Sequence, residues 1–401
     1  MKKTYVISAK RTAIGSFLGS LTTVKPVDMG ATVVKALLED AKVAPENVDE
    51  LLCGNVLGAG LGQNIGRQVA LAAGIPMNVC SHSVNMVCGS GLRTVMEGVM
   101  SIQTGFNDIV VAGGVESMSG APYLIPANTR TGNKMGDFKC TDHMIYDALT
   151  DAMNGVHMGV TAENIAKKYN ISREEQDAFG YASQQKAIKA VDSGRFDDEI
   201  VPVEVKLRKE TVIFNRDEHP NRKSTPEKLA KLRPAFVKDG TVTAGNASGI
   251  NDGASFVLLA SEEAVEKYGL TPMCEIIGIG QGAVDPLVMG LGPTPAIRHA
   301  LQYAGLKLQD MELIELNEAF AAQSLGVIHE LVEEHGVDRD ELMAKTNVNG
   351  GAIALGHPVG ASGNRILVSL IYEMIKRDCK LGLASLCIGG GQGTAVIVKR
   401  P

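Results

Sequence analysis

The sequence predicts an α/β protein of two similar layered domains, related by a pseudo-twofold axis, with a loop domain inserted in the first. Apolar strand patterns alternate with amphipathic helix patterns along most of the chain. Glycine is abundant, at 45 of 401 residues, which suits many tight strand-to-helix turns. The order of elements in the first half recurs in the second. We expect each domain to contain a mostly parallel sheet with helices on both faces.

The first domain is predicted from a simple succession of patterns. In chain order these are a strand at 4–8, a helix at 28–40 with Asp28 as N-cap, a buried strand at 51–57, a helix opened by the glycine turn 58–62 and ending at 73, and a strand at 108–112. The glycine turn resembles a dinucleotide-binding turn. Its spacing is G-x-G-x-x-x-G, however, and no acidic residue lies between 66 and 96 to bind a ribose, so nicotinamide binding is not expected.

The chain changes in character near residue 120, where a polar stretch rich in Pro, Gly and Asn begins. Helices are predicted beyond it at 142–153, 161–169 and 173–193. Residues 206–233 carry nine Lys and Arg against four Asp and Glu, so they form either a solvated loop or a seat for an anionic ligand. The predicted domains are residues 1–119 with 249–271, the inserted loop domain 120–248, and the C-terminal domain 272–401.

The second half repeats the first segment by segment. The matched pairs are a helix at 295–304 with 30–41, a strand at 312–316 with 50–57, a glycine-rich helix start at 360–365 with 88–93, and a closing strand with its glycine turn at 381–391 with 109–114. The strand ends and helix starts of both halves should therefore converge. Ligands bind at such places in open α/β sheets.

Composition excludes several classes of protein. A net charge of −6 argues against nucleic-acid binding, and no apolar run is long enough to span a membrane. The seven cysteines are dispersed and include no C-x-x-C, so neither a disulfide framework nor a metal site is expected. With reduced thiols and no recognisable leader, we expect a cytoplasmic protein.

Cys88 is the first candidate for chemistry. It stands at the head of a predicted helix, and the glycines that follow it at 89 and 91 leave the neighbouring backbone open to a ligand. A helix N-terminus carries partial positive charge, which favours the thiolate. A lone cysteine beside a glycine-rich turn is, however, more often a buried structural residue.

Asn317, His357 and Cys387 also follow predicted strands or precede helices. Together with Cys88 they suggest one pocket in which a thiolate, activated by His357, attacks a carbonyl to form an acyl-enzyme. Cys387 would act as a general acid and base, and glycine N–H groups, Asn317 and His357 would stabilise oxyanions. This set suits carbon–carbon bond chemistry at an acyl thioester.

These segments resemble the thiolase family over essentially the whole chain. The matching motifs are N-x-x-C-x-S-G at 85–91, N-E-A-F at 317–320, G-G-A-I-A-L-G-H-P-x-G-x-S-G at 350–363 and C-x-G-G-G at 387–391. Ketoacyl synthases are similar but lack a counterpart of Cys387. The resemblance implies a ping-pong reaction, in which Cys88 takes the acyl group and Cys387 removes the α-proton of a second acetyl-CoA.

The resemblance also implies a role for each matching residue. His357, with a water held by Asn317, would form one oxyanion hole, and the N–H groups of Cys88 and Gly389 the other. His157 and Met158 match the H-M-G of the short-chain biosynthetic branch and would line the acyl pocket, although His157 could instead cap or pack against a helix. The residues that would line the CoA channel are Leu149, Phe236, Ala244, Ser248 and Phe320, with Arg222 near the phosphates.

The expected reaction is reversible condensation of two acetyl-CoA to acetoacetyl-CoA and CoA, with CoA as substrate and no resident cofactor. Two alternatives stay open: a broader 3-ketoacyl-CoA thiolase of fatty-acid degradation, and a non-catalytic acyl-CoA or lipid carrier. By resemblance, the chain would form a homotetramer, a dimer of dimers joined through residues 129–142.

Overall fold

One 11-stranded mixed sheet frames the protein in the computed structural model, which describes residues 2–401. Two small two-stranded sheets, β6 with β7 and β9 with β10, accompany it. The strands are β1 (Thr4–Thr12), β2 (Gly15–Ser16), β3 (Glu50–Gly54), β4 (Cys80–Val84), β5 (Ile109–Ser117), β6 (Tyr123–Leu124), β7 (Thr141–Asp142), β8 (Ile200–Val201), β9 (Val203–Lys206), β10 (Thr211–Phe214), β11 (Asn251–Ser261), β12 (Cys274–Ala283), β13 (Leu313–Leu316), β14 (Leu381–Ile388) and β15 (Gln392–Lys399).

The helices follow the apolar periodicity of the sequence. They are α1 (Pro26–Ala41), α2 (Ile65–Ala72), α3 (Ser90–Gln103), α4 (Met158–Tyr169), α5 (Arg173–Asp192), α6 (Pro226–Leu229), α7 (Glu262–Tyr268), α8 (Pro293–Ala304), α9 (Ala321–His335), α10 (Arg339–Ala344), α11 (Ala352–Leu355) and α12 (Val359–Arg377). Within residues 2–401, no helix combines the length and apolar character that crossing a membrane requires.

The strand order repeats in the two halves of the sheet. From the centre outward, β1, β11, β5 and β3 on one side correspond to β12, β15, β14 and β13 on the other, and β1 pairs with β12 at the centre. The predicted pair of similar α/β units is thereby confirmed. The prediction of mostly parallel sheets is wrong, because β11 and β15 run antiparallel to both of their neighbours. After β14 the glycine turn 389–391 folds the chain straight back into β15.

The two halves pack around a central pair of helices, α3 and α12, which contact each other and strands of both halves. Successive strand residues face opposite sides, so Val110 and Ala112 belong to this central core while Ile109 and Val111 face the outer core under α1 and α2. On the other side α8 and α9 cover the second half. The starts of α3 and α12 therefore meet in the middle of the molecule.

The predicted insertion, residues 120–248, is fastened to the main sheet. Its strand β8 pairs in parallel with the end of β1. There Arg11, with no exposed surface, binds Glu199 through Nε (2.6 Å) and Asp217 through Nη1 (2.8 Å). This pairing ties residues near 200 and 217 to the first strand. The boundaries of the three predicted domains stay predictions.

Several local predictions need correction. Asp28 lies in the first turn of α1 and not at the N-cap, because Pro26 starts the helix. The strand 51–57 ends at Gly54, and α2 starts only at Ile65, after Asn64 caps it by accepting the N–H of Arg67. The predicted helix 142–153 is one π-helical turn, Met144–Ala148.

Candidate active site

Cys88 lies in a tight turn between β4 and α3. The preceding Val87 has a φ of +47°, a left-handed conformation that is costly for a β-branched residue. Ser90 holds this turn: its Oγ accepts the N–H of Met86 (2.9 Å) and donates to the carbonyl of Val87 (2.6 Å). The turn therefore presents Cys88 just before the N-terminus of α3, where the motif places it.

The Cys88 thiol is protonated in the resting site. Burial raises its pKa to about 11, and N–H groups of Gly389 and of Cys88 itself oppose that rise. The N–H groups at the helix start therefore favour the thiolate, as the sequence predicts, but desolvation of the charge outweighs their effect. A base has to accept the proton when Cys88 reacts.

Cys387 approaches the same turn from the second half of the protein. It is the penultimate residue of β14 and 1% exposed, so the strand extends past the predicted end at 386. A side chain at Gly89 would clash with Cδ1 of Ile388, so the Cys88 turn and the end of β14 are in direct contact. Burial raises the pKa of Cys387, and its interaction with Cys88 raises it further. Two protonated thiols, one from each half, thus share one site.

His357 precedes α12 and is a neutral imidazole with a defined tautomer. The Oγ of Ser362 lies 2.6 Å from Nδ1 and 2.9 Å from the carbonyl of Pro358. A hydroxyl has one proton and a carbonyl only accepts, so Ser362 donates to Pro358 and accepts from Nδ1–H. Burial and the cation of Arg365 lower the pKa of His357 to about 3.

The Nε2 atom of His357 therefore carries a lone pair. It is buried and has no hydrogen-bond partner within residues 2–401. An unpartnered basic nitrogen in a buried site is able to accept a proton or, once protonated, to donate a hydrogen bond to substrate. Ser362, quoted above only as part of a motif, fixes this orientation.

Asn317 follows β13 and has an unsatisfied side chain. It is 1% exposed, and neither Oδ1 nor Nδ2 has a partner in the described part of the chain. Its backbone N–H donates to the carbonyl of Ser385 on β14 (3.0 Å), which places it beside the strand that carries Cys387. A buried amide without partners is normally satisfied by water or ligand.

Two buried side chains outside the predicted set hold these turns in place. Glu116 at the end of β5 accepts the N–H of Gly360 (2.9 Å) at the start of α12, and burial raises its pKa to about 7. Asn251 accepts the backbone N–H of His357 (2.9 Å) and donates to the carbonyl of Gly15 (2.9 Å). The one sequence signal for Glu116 is an acidic residue at the end of a wholly apolar strand.

Three residues that were predicted to line the substrate site form an aromatic stack. The rings of His157 and Phe236 are 4.7 Å apart at 19°, and Phe320 meets Phe236 edge to face at 6.1 Å. Nδ1 of His157 also accepts the N–H of Gly159 (3.1 Å), which makes it the N-cap of α4. The two interpretations of His157, a wall residue and a helix cap, are thus compatible. Burial lowers its pKa.

Other predicted wall residues continue from this stack toward Cys88. Met158 is buried, and its Sδ lies 3.4 Å from where a Cβ on Gly389 would be. Leu149 accepts the backbone N–H of Met158 (2.8 Å), and Ser248 donates its backbone N–H to Ala319 (2.9 Å) in the 317–320 turn. The structure therefore places Met158, with Leu149 bonded to it, beside Gly389 in the turn after Cys387, and Ser248 beside the turn that carries Asn317.

Ala244 and Arg222 line a neighbouring groove of about 860 Å³ that opens to solvent. The guanidinium of Arg222 is bound at both ends by Asp192 (2.7 and 2.6 Å). Lys223 and Lys228 line the same groove, and neither has a carboxylate partner in the part of the chain that is described. The role of Arg222 stays a prediction, and the two lysines are additional candidates for binding an anion.

The chain is similar to known proteins over its whole length. A family model described as "Thiolase, N-terminal domain" matches residues 4–263, and one described as "Thiolase, C-terminal domain" matches residues 270–400. The acetyl-CoA acetyltransferase of Escherichia coli K12 is 54% identical, with both chains covered completely. A solved structure of acetyl-CoA acetyltransferase from Syntrophomonas wolfei is 44% identical with a TM-score of 0.97, and covers 100% of both chains. Human mitochondrial 3-ketoacyl-CoA thiolase in complex with CoA is 45% identical with a TM-score of 0.93, over 100% of this chain and 98% of that one.

Proposed function

We propose that this chain, which belongs to the thiolase family, is an acetyl-CoA C-acetyltransferase that condenses two acetyl-CoA reversibly to acetoacetyl-CoA and CoA. The observation that carries the proposal is the meeting of Cys88 and Cys387, one from each half, in a site with a neutral His357. A structural role for these residues needs neither two adjacent thiols nor an unpartnered Nε2.

In the first half-reaction Cys88 Sγ attacks the thioester carbonyl of acetyl-CoA. Its proton passes to Nε2 of His357, which the bond to Ser362 leaves free to accept it. The N–H groups of Cys88 and Gly389, which interact with the thiol of Cys88, would stabilise the oxyanion. The carbon–sulfur bond of acetyl-CoA breaks, CoA leaves with the proton from His357, and acetyl-Cys88 remains.

In the second half-reaction Cys387 removes an α-proton from a second acetyl-CoA. Because burial and the neighbouring thiol disfavour its anion, Cys387 has to ionise in step with binding or with proton transfer. The enolate carbon attacks acetyl-Cys88, a carbon–carbon bond forms, and Cys88 leaves as thiolate. Nε2 of the neutral His357 would accept the proton that Cys387 gives up, and as imidazolium it would stabilise the enolate oxygen together with a water on the unsatisfied amide of Asn317. His357 then returns this proton to the Cys88 thiolate.

The wall formed by Leu149, His157 and Met158 supports a short acyl group. Met158 lies close to Gly389, and the stacking of His157 on Phe236 holds the His157 ring in place at the side of the pocket. A 3-ketoacyl-CoA thiolase with a broader substrate range needs room for a longer acyl chain beyond this wall. Such an enzyme is the nearest alternative, since the human relative of that name is 45% identical, with a TM-score of 0.93.

The preferred length of the substrate's acyl chain distinguishes these two activities. Thiolysis rates should be compared for acetoacetyl-CoA and 3-ketooctanoyl-CoA at equal concentrations, with Cys88→Ala as the inactive control. The proposal expects a strong preference for acetoacetyl-CoA, and a preference for the longer substrate would overturn it. Binding of acyl-CoA with no turnover of either would instead favour a carrier.

The groove with Ala244 supports binding of the CoA nucleotide portion. Lys223 and Lys228 offer uncompensated positive charge there, and Arg222 with Asp192 lies at the same groove. We treat CoA as a substrate and propose no resident cofactor.

A homotetramer is also part of the proposal. Within residues 129–142, Met135 is 93% exposed and Phe138 48%, an apolar surface that a neighbouring subunit would cover. All seven cysteines are free thiols, which supports a reducing compartment such as the cytoplasm. Sedimentation of the intact protein at micromolar concentration tests the tetramer, which a monomeric mass would contradict.

A further inference from the structure

We propose that a second cavity, behind the 317–320 turn, binds a small amphipathic carboxylate. This rear cavity lies between α5, α9, α10 and the end of β13 and has a volume of about 300 Å³. None of Cys88, His357 and Cys387 lines it. The inference concerns a site separate from the acyl-CoA site and does not rest on the proposed reaction.

The rear cavity faces the opposite side of the turn from Asn317. Leu316 and Glu318 both line it, and because alternate residues of an extended chain point to opposite sides, the intervening Asn317 points away. The interior is largely apolar, with Phe179 from α5 and Leu325 and Ile328 from α9 contributing to its wall. An aliphatic chain is the natural occupant of such a wall.

The polar groups on the cavity floor are already satisfied by each other. Glu318 is 1% exposed and accepts hydrogen bonds from Ser183 Oγ (2.6 Å) and Asn347 Nδ2 (2.9 Å). Asn347 also donates to the carbonyl of Leu316 (2.7 Å). Burial raises the pKa of Glu318, and the hydrogen bonds from Ser183 and Asn347 oppose that rise. A ligand therefore finds no free polar partner at the bottom, and its polar end has to lie at the mouth.

Positive charge is available at the mouth. The ammonium of Lys186 has only the carbonyl of Thr346 at 3.4 Å, and neither Lys186 nor Arg339 forms an ion pair within the described residues. Glu175 also lines the cavity, and its carboxylate, which remains charged, accepts the backbone N–H of Ser172 (2.8 Å) in the cap of α5. Lys186 attracts Glu318 electrostatically without forming an ion pair, and with Arg339 it outnumbers the one exposed carboxylate of the lining, Glu175. This charge beside an apolar cavity matches a carboxylate head on an aliphatic tail.

The volume sets the size of the ligand. At about 30 Å³ for a water-sized group, the cavity accommodates on the order of ten non-hydrogen atoms. Octanoate has that size, and it places its carboxylate at one end of an unbranched chain. It is the probe of choice.

Titration calorimetry with octanoate and the full-length protein saturated with CoA tests the site. Saturating CoA fills the acyl-CoA site, so binding that persists identifies a separate one. We expect octanoate to bind, and octylammonium, with the same tail and opposite charge, not to bind. No octanoate binding, binding abolished by CoA, or equal affinity for 1-octanol would overturn the proposal.

Two variants locate the site. Lys186→Met should weaken octanoate binding at least tenfold, and Lys189→Met, an exposed lysine of the same helix that does not line the cavity, should leave it unchanged. Ala182→Phe, at an exposed position on the mouth, should block octanoate while CoA binding is retained. Unchanged affinity in Lys186→Met and Ala182→Phe would contradict the assignment.

Discussion

Proton positions govern how single residues act in this site. Cys88 has a pKa near 11 and His357 one near 3, so the resting site holds a thiol and a neutral imidazole. Burial causes both shifts, since each charged form loses its hydration. In the proposed mechanism the reactive thiolate and the imidazolium would form together, as substrate is attacked, and stabilise each other as a pair.

Alkylation of Cys88 should therefore accelerate with pH. Below its pKa of about 11 the thiolate fraction rises about tenfold for each pH unit. The rate constant for inactivation by iodoacetamide should therefore increase continuously from pH 7 to pH 10. Peptide mass mapping at each pH follows Cys88 and uses the half-buried Cys379 as an internal comparison. A plateau already reached below pH 8 would indicate a preformed thiolate and contradict this assignment.

Ser362→Ala should lower kcat about 10- to 100-fold, the usual effect of losing a partner that orients a functional imidazole. Without the hydroxyl, Nδ1–H has no acceptor, and the tautomer with the proton on Nε2 can no longer act as base. KM for acetoacetyl-CoA should change little, because Ser362 is placed against His357 and not against substrate.

The matched control for this variant is Ser369→Ala. Ser369 lies on the same helix, is 6% exposed, and donates to Glu199 (2.9 Å) away from the thiols. Steady-state kinetics and the pH profile of kcat separate the two positions. Equal kcat in Ser362→Ala and the unmodified protein would show that the hydroxyl does not orient His357.

At the scale of elements, one buried ion-pair cluster fastens the insertion to the first strand. Asp217 binds both terminal nitrogens of Arg11 (2.8 and 2.9 Å) and also accepts the N–H of Ile14 (2.7 Å). Glu199 binds the third nitrogen of the same guanidinium. The cluster joins segments about 200 residues apart in sequence, and the site depends on the insertion for its His157 and Met158 wall.

Asp217→Asn should destabilise the protein by about 3–5 kcal/mol, because an amide leaves Arg11 with an incompletely compensated buried charge. Urea unfolding followed by fluorescence of the tyrosines or by circular dichroism measures the change. Asp192→Asn serves as control, since its pairs with Arg216 and Arg222 are exposed and screened by solvent. Equal midpoints for Asp217→Asn and Asp192→Asn would contradict the role of the cluster.

Elements with strong local signals were predictable from the sequence. α5 begins after Ser172, whose capping box with Glu175 is a short-range motif, and Gly194 adopts a positive φ beyond its end. The predicted helix 142–153 fails for a local reason as well. Asp151 accepts the N–H groups of Met153 (3.1 Å) and Asn154 (2.8 Å) in a turn that interrupts the helix.

At the scale of the whole molecule, the internal repeat explains why two thiols 299 positions apart, 88 and 387, lie together. Repeated element order predicted that α3 and α12 start close to each other, and the motifs supplied the residues. Glu116 and Asn251 could not be predicted. Their bonds to Gly360 and His357 span 244 and 106 positions, and no local pattern specifies such pairs.

In the proposed mechanism the first half of the chain holds the acyl group and the second half transfers protons, which leads to a prediction about Cys387. Cys387→Ala should still form acetyl-Cys88 from acetyl-CoA but should lose condensation, because only the second half-reaction needs α-proton removal. Mass spectrometry measures acetylation, and an acetoacetyl-CoA assay measures condensation. Loss of acetylation in this variant, or retention of full condensation, would contradict the division.

Acetylation of Cys88 tests the central claim most directly. The protein is incubated with acetyl-CoA, and one portion is then treated with free CoA. Both portions are digested, and the masses of their peptides are measured by mass spectrometry. The predicted result is one acetyl group on the peptide that contains Cys88, removed when CoA is added. An unmodified Cys88, acetyl on another cysteine, or an acetyl group that CoA does not remove would contradict it.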